Sequence, residues 1–130
     1  MTVVDASAVL EILLVTPAAE RLEDRLFAEG ETLHAPHLID VEIVHALRRL
    51  SLAGRLSARR GLEAIEDLLD LPLTRYPHHL LLPKMWEQRN NFTAYDAAYL
   101  ALAEMLGAPL VTCDRALSSS SSHDVRVEIL

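Results

Sequence analysis

Short apolar runs rich in β-branched residues alternate along this chain with longer segments in which apolar residues recur every three or four positions. The first pattern predicts buried strands and the second predicts amphipathic helices. Strands are expected at residues 2–4, 32–35, 73–76, 109–112 and 125–130, and helices at 6–14, 17–30, 36–54, 58–71, 78–89 and 93–106. This alternation favours an α/β fold with a mostly parallel central sheet of four to five strands flanked by helices. The length of 130 residues fits a single domain spanning residues 1–130.

The segment Thr93–Glu104, TAYDAAYLALAE, combines the start of a helix with an acidic residue that could take part in catalysis or metal binding. Thr93 fits an N-cap position, and Asp96 then falls in the first turn, where backbone N–H groups favour a carboxylate. One apolar face is predicted for this helix, formed by Tyr95, Ala98, Tyr99, Leu102 and Met105. On this segment alone, Asp96 is explained equally well as a capping residue and as a functional acid.

Composition excludes several classes of protein. A hydrophobic fraction of 51 % with 24 % charged residues allows a real core, so the chain is not expected to be disordered. No apolar run reaches the roughly eighteen residues of a membrane span. The apolar N-terminal segment has no basic leader and carries Asp5 and Glu11, which argues against a signal peptide and favours the cytoplasm. Cys113 is the only cysteine, so no internal disulfide and no all-cysteine zinc site can form.

The net charge of −7 restricts how the protein can bind nucleic acid. A protein that holds nucleic acid mainly by counterion release is usually basic. The charge is uneven, however, because residues 31–60 carry five arginines against three acids. These arginines are Arg48, Arg49, Arg55, Arg59 and Arg60. Any role with nucleic acid must therefore depend on a local basic patch.

Four acids fall where predicted strands end or predicted helices begin. Asp5 directly follows the first strand, and Asp114 follows the strand LVT with only Cys113 between them. Asp96 opens the helix that leads into that strand, and Glu42 lies one turn inside the third helix. Open α/β sheets bind ligands beyond the carboxyl ends of their strands. Each acid alone can be a cap or an exposed helix residue, but caps need not share one end of a sheet, and Ser, Thr or Asn cap equally well.

Carboxylates gathered in one place raise one another's pKa unless a positive charge joins them. Mg²⁺ and Mn²⁺ are hard cations that prefer oxygen ligands and suit such a cluster. A pair of these ions can stabilise both the attacking and the leaving oxygen of a phosphodiester displacement. We therefore expect Asp5, Glu42, Asp96 and Asp114 to form a Mg²⁺ or Mn²⁺ site, through which an acidic protein can also hold phosphate.

Four segments together resemble the PIN-domain family. They are VVDAS at 3–7, DVEIVHALRR at 40–49, RNNFTAYDAAYLALA at 89–103 and LVTCDRAL at 110–117. Within that family they are similar to the VapC-type toxins of bacterial toxin–antitoxin pairs, and the similarity covers nearly the whole chain. The resemblance implies a PIN-like fold and a Mg²⁺- or Mn²⁺-dependent endoribonuclease. It also implies a homodimer and a small VapB-type antitoxin, which wraps the helices of the toxin and blocks the metal site.

The resemblance also assigns roles to particular residues. It makes Asp5, Glu42, Asp96 and Asp114 the catalytic and metal-binding acids, and Ser7 and Thr112 the supporting hydroxyls. One departure concerns the region after Asp114, where family members often carry a further acidic or polar residue. Here Ser118–Ser122 fill that region, and Asp124 lies ten residues beyond Asp114. A second metal ion is therefore expected to bind weakly or only together with substrate.

The sequence supports a functional role less strongly for other polar residues near these segments. Arg89 and Arg115 lie closest in sequence to the acids and are candidates for holding RNA phosphate. Asp40 points to a different helix face from Glu42 and is left outside the metal site. His45 shares the face of Glu42 and is expected to be a hydrogen-bonding partner rather than a metal ligand.

Three other interpretations remain open at this point. A phosphoacceptor domain needs a lysine after a late strand, but Lys84, the only lysine, falls in a predicted helix. A PIN-like binding module with weak or lost catalysis is opposed by the presence of all four acids. A DNA-directed or flap nuclease would use the same metal chemistry, because nothing in the sequence reads the 2′-hydroxyl group of RNA.

Overall fold

Five short strands form one sheet in the computed structural model, which describes residues 1–118 and 124–130. They are β1 (Thr2–Val4), β2 (Leu33–Pro36), β3 (Leu73–Tyr76), β4 (Leu110–Thr112) and β5 (Val127–Ile129). The strand order is β3-β2-β1-β4-β5, and every neighbouring pair is parallel. The predicted α/β fold is therefore confirmed, with a fully parallel sheet where a mostly parallel one was expected.

The described residues also form six α-helices. They are α1 (Ala6–Leu13), α2 (Ala19–Leu26), α3 (Leu38–Leu52), α4 (Ala58–Asp70), α5 (Leu82–Glu87) and α6 (Ala94–Leu106). Side-chain oxygens of Asp5, Ser57 and Thr93 cap α1, α4 and α6 by accepting a backbone N–H three residues further on. Gly107, with a φ of 62°, ends α6 in the left-handed conformation that glycine adopts without strain.

The strand order reverses beside β1. The chain runs outward through β1, β2 and β3, and α5 and α6 then bring it back to β4 on the other side of β1. Right-handed crossovers place α1–α4 on one face of the sheet and α5–α6 on the other. The contacts agree, because α1 packs with α2 and α3, whereas α6 packs on β1 and β2. The carboxyl ends of β1 and β4 thus meet where open α/β sheets bind ligands.

Helix α6 is buried through its middle turns rather than along one stripe. All seven residues from 97 to 103 are buried, because these turns pack against β1, β2 and α5. Tyr95 and Met105, which the sequence placed on the apolar face, are 61 % and 49 % exposed. The predicted face is therefore wrong at both of its ends.

Two local predictions differ from the structure, and a third is largely untested by it. Pro36 ends β2 instead of starting a helix, and α3 begins at Leu38, whose backbone N–H donates to His78 Nε2 at 2.8 Å. The helix expected at 78–89 is a 3₁₀ turn at His79–Leu81 followed by α5, with Pro83 in the first turn of α5, where its missing N–H is tolerated. The surface loop expected at 118–124 lies largely outside the described residues. None of the described helices has the length and apolar character needed to span a membrane.

Candidate active site

Asp5 follows β1 directly and is only 6 % exposed. The β1–β4 register places it opposite Thr112 at the carboxyl edge of the sheet. Its Oδ1 accepts a hydrogen bond from Ser7 Oγ at 2.7 Å and another from the backbone N–H of Ala8 at 3.1 Å. Its Oδ2 accepts a hydrogen bond from Thr112 Oγ1 at 2.5 Å. Groups from both α1 and β4 therefore hold this carboxylate in one orientation.

The hydroxyl groups of Ser7 and Thr112 also organise the turn after β4. Thr112 is fully buried, and its Oγ1 accepts the backbone N–H of Asp114 at 2.9 Å. Ser7 Oγ accepts the backbone N–H of Cys113 at 3.0 Å. The structure thus brings both of the expected supporting hydroxyls into contact with Asp5 and with the turn that carries Asp114.

The protonation equilibrium of Asp5 reflects this burial. Desolvation raises the pKa of its carboxyl group to about 6, although hydrogen bonds from Thr112, Ser7 and Ala8 act in the opposite direction. The negative charge of Asp114 raises the pKa further. A buried carboxylate with a raised pKa is stabilised in its charged form by any cation that binds beside it.

Asp96 and Glu42 approach the same edge from two helices. Asp96 lies in the first turn of α6 and Glu42 in the second turn of α3, and both are half-buried. Partial burial raises the pKa of each carboxyl group. The charge of Asp114 raises the pKa of Asp96 further, and the charge of Asp96 does the same to Glu42. The four acids are therefore electrostatically coupled in the series Asp5, Asp114, Asp96, Glu42.

Tyr99 is a site residue that the sequence reasoning missed, because it was assigned only to the apolar face of α6. It is 2 % exposed, and its hydroxyl donates to Glu42 Oε1 at 2.5 Å. Burial, the bond to Glu42 and the nearby charge of Asp5 all raise the pKa of Tyr99, while the backbone N–H of Ala6 at the hydroxyl oxygen lowers it. The available signal was its spacing of three residues from Asp96, which places both on one side of the helix.

The charge balance of the site favours a cation. Among the described residues, no lysine, arginine or histidine lies within ion-pair distance of any of the four acids. The available donors are carboxylate and hydroxyl oxygens, which suit a hard divalent ion. In the part of the chain that the structure describes, however, no three Asp, Glu, His or Cys side chains are close enough to hold one ion. The donor chemistry therefore fits a hard divalent ion such as Mg²⁺ or Mn²⁺, although the described side chains do not form a set of three ligands by themselves.

The two candidate phosphate-binding arginines lie on the surface but do not contact the acids. The guanidinium group of Arg89 stacks 4.7 Å from the ring centre of Trp86 and donates to the Trp86 carbonyl oxygen. Arg115 begins the 3₁₀ turn that follows β4 and is exposed next to Asp114. Asp114 itself is exposed, and its Oδ1 accepts the backbone N–H of Ala116 at 2.9 Å.

Three polar residues left outside the site have separate environments. Asp40 forms an ion pair with Arg75 of β3 at 2.7 Å, which is a structural contact between α3 and the sheet edge. His45 is exposed on α3. Asp124 precedes β5 and lies beside Gly107, at the amino end of the parallel sheet and away from Asp114.

The fold and the site define an α/β domain with coupled acids at the switch point of a parallel sheet. The PIN-domain family profile matches residues 2–120. Ribonuclease VapC12 of Mycobacterium tuberculosis is 40 % identical over 130 residues, covering 100 % of this chain and 99 % of the relative. Ribonuclease VapC9 of the same organism is 43 % identical, covering 100 % of this chain and 98 % of the relative. The chain therefore belongs to the PIN-domain family, in its VapC group.

Solved structures show the same fold at low sequence identity. PAE2754 from Pyrobaculum aerophilum has a TM-score of 0.75 at 24 % identity, covering 99 % of this chain and 83 % of that one. VapC20 of M. tuberculosis, a sarcin-ricin loop cleaving toxin, has a TM-score of 0.69 at 18 % identity, covering 97 % and 99 %. VapBC2 from Rickettsia felis, bound to a promoter DNA fragment, has a TM-score of 0.75 at 12 % identity, covering 99 % and 98 %.

Proposed function

We propose that this protein is an endoribonuclease, the toxin of a VapBC-type toxin–antitoxin system, and that it hydrolyses RNA with the help of Mg²⁺ or Mn²⁺. The observation that carries the proposal is the series of four coupled acids at the carboxyl edge of β1 and β4, for which the described part of the chain supplies no cationic partner. The relatives named ribonuclease VapC support it, because they match the chain along its full length.

Asp5, Glu42, Asp96 and Asp114 are the residues that would hold the metal. A divalent ion bound there supplies Lewis acidity for activating water and for stabilising the leaving oxygen of the phosphodiester. The protein supplies orientation. Ser7 and Thr112 fix both oxygens of the Asp5 carboxylate.

Tyr99 and the exposed arginines complete the proposed machinery. The Tyr99 hydroxyl donates to one oxygen of Glu42 and so holds the orientation of its carboxylate. Arg115 is adjacent to Asp114 and exposed, so it is a candidate contact for an RNA phosphate close to the acids. Arg89 is a second candidate, although its guanidinium group rests on Trp86.

The proposed partners follow from the family. A VapB-type antitoxin is the expected inhibitor, and the similarity to a VapBC2 structure supports this assignment. A homodimer and a cytoplasmic location are part of the same proposal. Both can be tested directly, by sedimentation of the purified protein and by fractionation of the cells that produce it.

The decisive experiment measures cleavage of structured RNA with Mg²⁺, with Mn²⁺ and with a chelator. We expect cleavage only with a divalent ion, and Asp96→Asn should reduce its rate by at least about a hundredfold, or about 3 kcal/mol of transition-state stabilisation. Asp124→Asn is the matched control, because it removes the same charge at the opposite end of the sheet.

Two results would contradict the proposal. Undiminished cleavage by Asp96→Asn would show that the acids do not carry the reaction. Absence of Mn²⁺ binding in isothermal titration, together with absence of cleavage, would indicate a binding module instead. A DNA oligonucleotide tested in parallel distinguishes a nuclease directed at DNA, which would cut it at least as fast as the RNA.

A further inference from the structure

Among the residues that the structure describes, half of the lysine and arginine side chains form no ion pair with a carboxylate. The chain contains 12 lysines and arginines, and within residues 1–118 and 124–130 six of them form ion pairs with an acid. The other six are Arg21, Arg48, Arg49, Arg55, Arg89 and Arg115. Three of these six line a single open cavity at the end of α3 with a volume of about 670 Å³, which we call the arginine pocket. The pocket is lined by its three arginines and by four apolar residues, Ala46, Leu50, Leu52 and Ala53.

The local backbone brings the three arginines together. Gly54 follows α3 with a φ of 72°, a left-handed conformation that reverses the chain at the helix end. The backbone N–H of Arg55 then donates to the carbonyl oxygen of Leu50 at 2.9 Å. This bond folds Arg55 back beside Arg48 and Arg49, all of which are exposed. Since Ala46 and Ala53 have short side chains, the surface between the guanidinium groups stays open.

The part of the arginine pocket formed by Arg49, Ala46 and Ala53 lies on the same side of α3 as Glu42, whereas Arg48 lies about 120° around the helix. Arg49 is seven residues beyond Glu42, which in an α-helix corresponds to about 10 Å along the axis and a rotation of only about 20°. Ala46 and Ala53 also lie within about 40° of the direction of Glu42. At about 3.4 Å per nucleotide of a stacked strand, three nucleotides would cover the distance from Glu42 to Arg49. A strand that enters the acidic site can therefore reach Arg49, and with it the pocket that Arg49 shares with Arg48 and Arg55.

We infer that the arginine pocket is a second RNA contact, which holds phosphates about three nucleotides away from the cleaved bond. The inference rests on the proposed ribonuclease function and adds where the substrate is held. Arginines near a helix C-terminus also interact favourably with the helix dipole. That effect explains Arg48 and Arg49 individually. It does not require both of them to share an open cavity with Arg55.

The test compares two triple variants with equal loss of charge. Arg48→Gln, Arg49→Gln and Arg55→Gln are combined in the pocket variant. Arg21→Gln, Lys84→Gln and Arg126→Gln are combined in the control variant, because these cations lie on other elements. Binding to a fluorescein-labelled oligouridylate of about twelve nucleotides is measured by anisotropy in a chelator, over a range of salt concentrations. Each phosphate contact with a single strand adds about 0.7 to the slope of log K against log salt.

We expect the pocket variant to lose about 2 from the magnitude of this slope and to bind roughly tenfold to a hundredfold more weakly at 0.1 M salt. The control variant should stay close to the wild type. If the pocket variant does not fold, Arg49→Gln and Arg55→Gln are tested singly, each with an expected loss of about 0.7 in slope. Equal slopes and affinities for the pocket and control variants would overturn the inference.

Two further results separate this inference from the proposed function. If the wild type does not cleave RNA with Mn²⁺, the proposed function itself fails, whatever the binding data show. If the wild type cleaves RNA and the pocket variant changes only its sedimentation coefficient, the arginine pocket is a contact between copies of the chain. That result overturns the RNA contact and leaves the nuclease assignment intact.

Discussion

The hydrogen bond from Tyr99 to Glu42 allows a sharp test of how the site is held together. Tyr99→Phe keeps the buried ring and removes only the hydroxyl, so no large cavity forms. The Glu42 carboxylate loses this hydroxyl donor, and because Glu42 is half-buried, water can replace part of the lost bond.

The size of the effect follows from the kind of bond. A hydrogen bond to a charged acceptor contributes about 1.5–3 kcal/mol. We therefore expect Tyr99→Phe to lower the free energy of unfolding by about 1–3 kcal/mol. If the whole free energy of the bond to Glu42 contributes to transition-state stabilisation, kcat/KM falls by about tenfold to a hundredfold. Loss of this bond also raises the pKa of Glu42, so Mn²⁺ should bind more weakly.

Tyr95→Phe is the matched control, because it makes the same chemical change on the same helix at a residue that is 61 % exposed. Urea unfolding, Mn²⁺ titration and ribonuclease kinetics are measured for both variants. A double-mutant cycle with Glu42→Gln isolates the pair, since Tyr99→Phe should add little once Glu42 has lost its charge. Equal kcat/KM and equal Mn²⁺ affinity in Tyr99→Phe and Tyr95→Phe would refute the positioning role.

Two further predictions concern stability. Thr112→Val should lower the free energy of unfolding by about 2–3 kcal/mol in urea, because Asp5 loses a donor and the Asp114 N–H loses its acceptor. Thr112→Ser keeps both hydrogen bonds and should lower the free energy of unfolding by only about 1 kcal/mol. An equal decrease in the Val and Ser variants would contradict the role of the hydroxyl group. Burial alone would raise the pKa of Glu31, but hydrogen bonds from the N-terminal amino group, Thr2 and Arg25 lower it from 4.5 to about 2. A carboxyl group with a depressed pKa stabilises the fold above its unfolded pKa, and this contribution disappears as the pH falls toward 2. Between pH 5 and pH 2.5 the free energy of unfolding should therefore fall by about 1 kcal/mol more for the wild type than for Glu31→Gln, after allowance for solvent screening. Parallel pH profiles of the two proteins would contradict this role of Glu31.

Much of the fold could be predicted from local sequence. β-branched runs predicted the strands, and Asp5, Ser57 and Thr93 start helices because their side chains reach the free backbone N–H groups of the first turn. These effects act within three or four residues, so the sequence reports them directly. The same reasoning erred at Pro36, whose strand position depends on pairing with Tyr76 of β3.

The site itself was predictable only in part. Asp5 and Asp114 could be expected near one another, because each follows a strand of a parallel sheet and such strands end at one edge. Which strand ends are neighbours is decided by the crossover from β3 back to β4, which places Thr112 beside Asp5 across 107 positions of sequence.

The contact of Tyr99 with Glu42 spans 57 positions and joins helices from opposite faces of the sheet. By itself, the sequence determined the local elements and the chemistry of the four acids. Only the tertiary structure decided which side chains orient those acids and which arginines share one pocket at the end of α3. The physical reason is that helix and strand signals depend on near neighbours in the chain. The direction of a side chain between two packed elements depends on how the whole sheet is ordered.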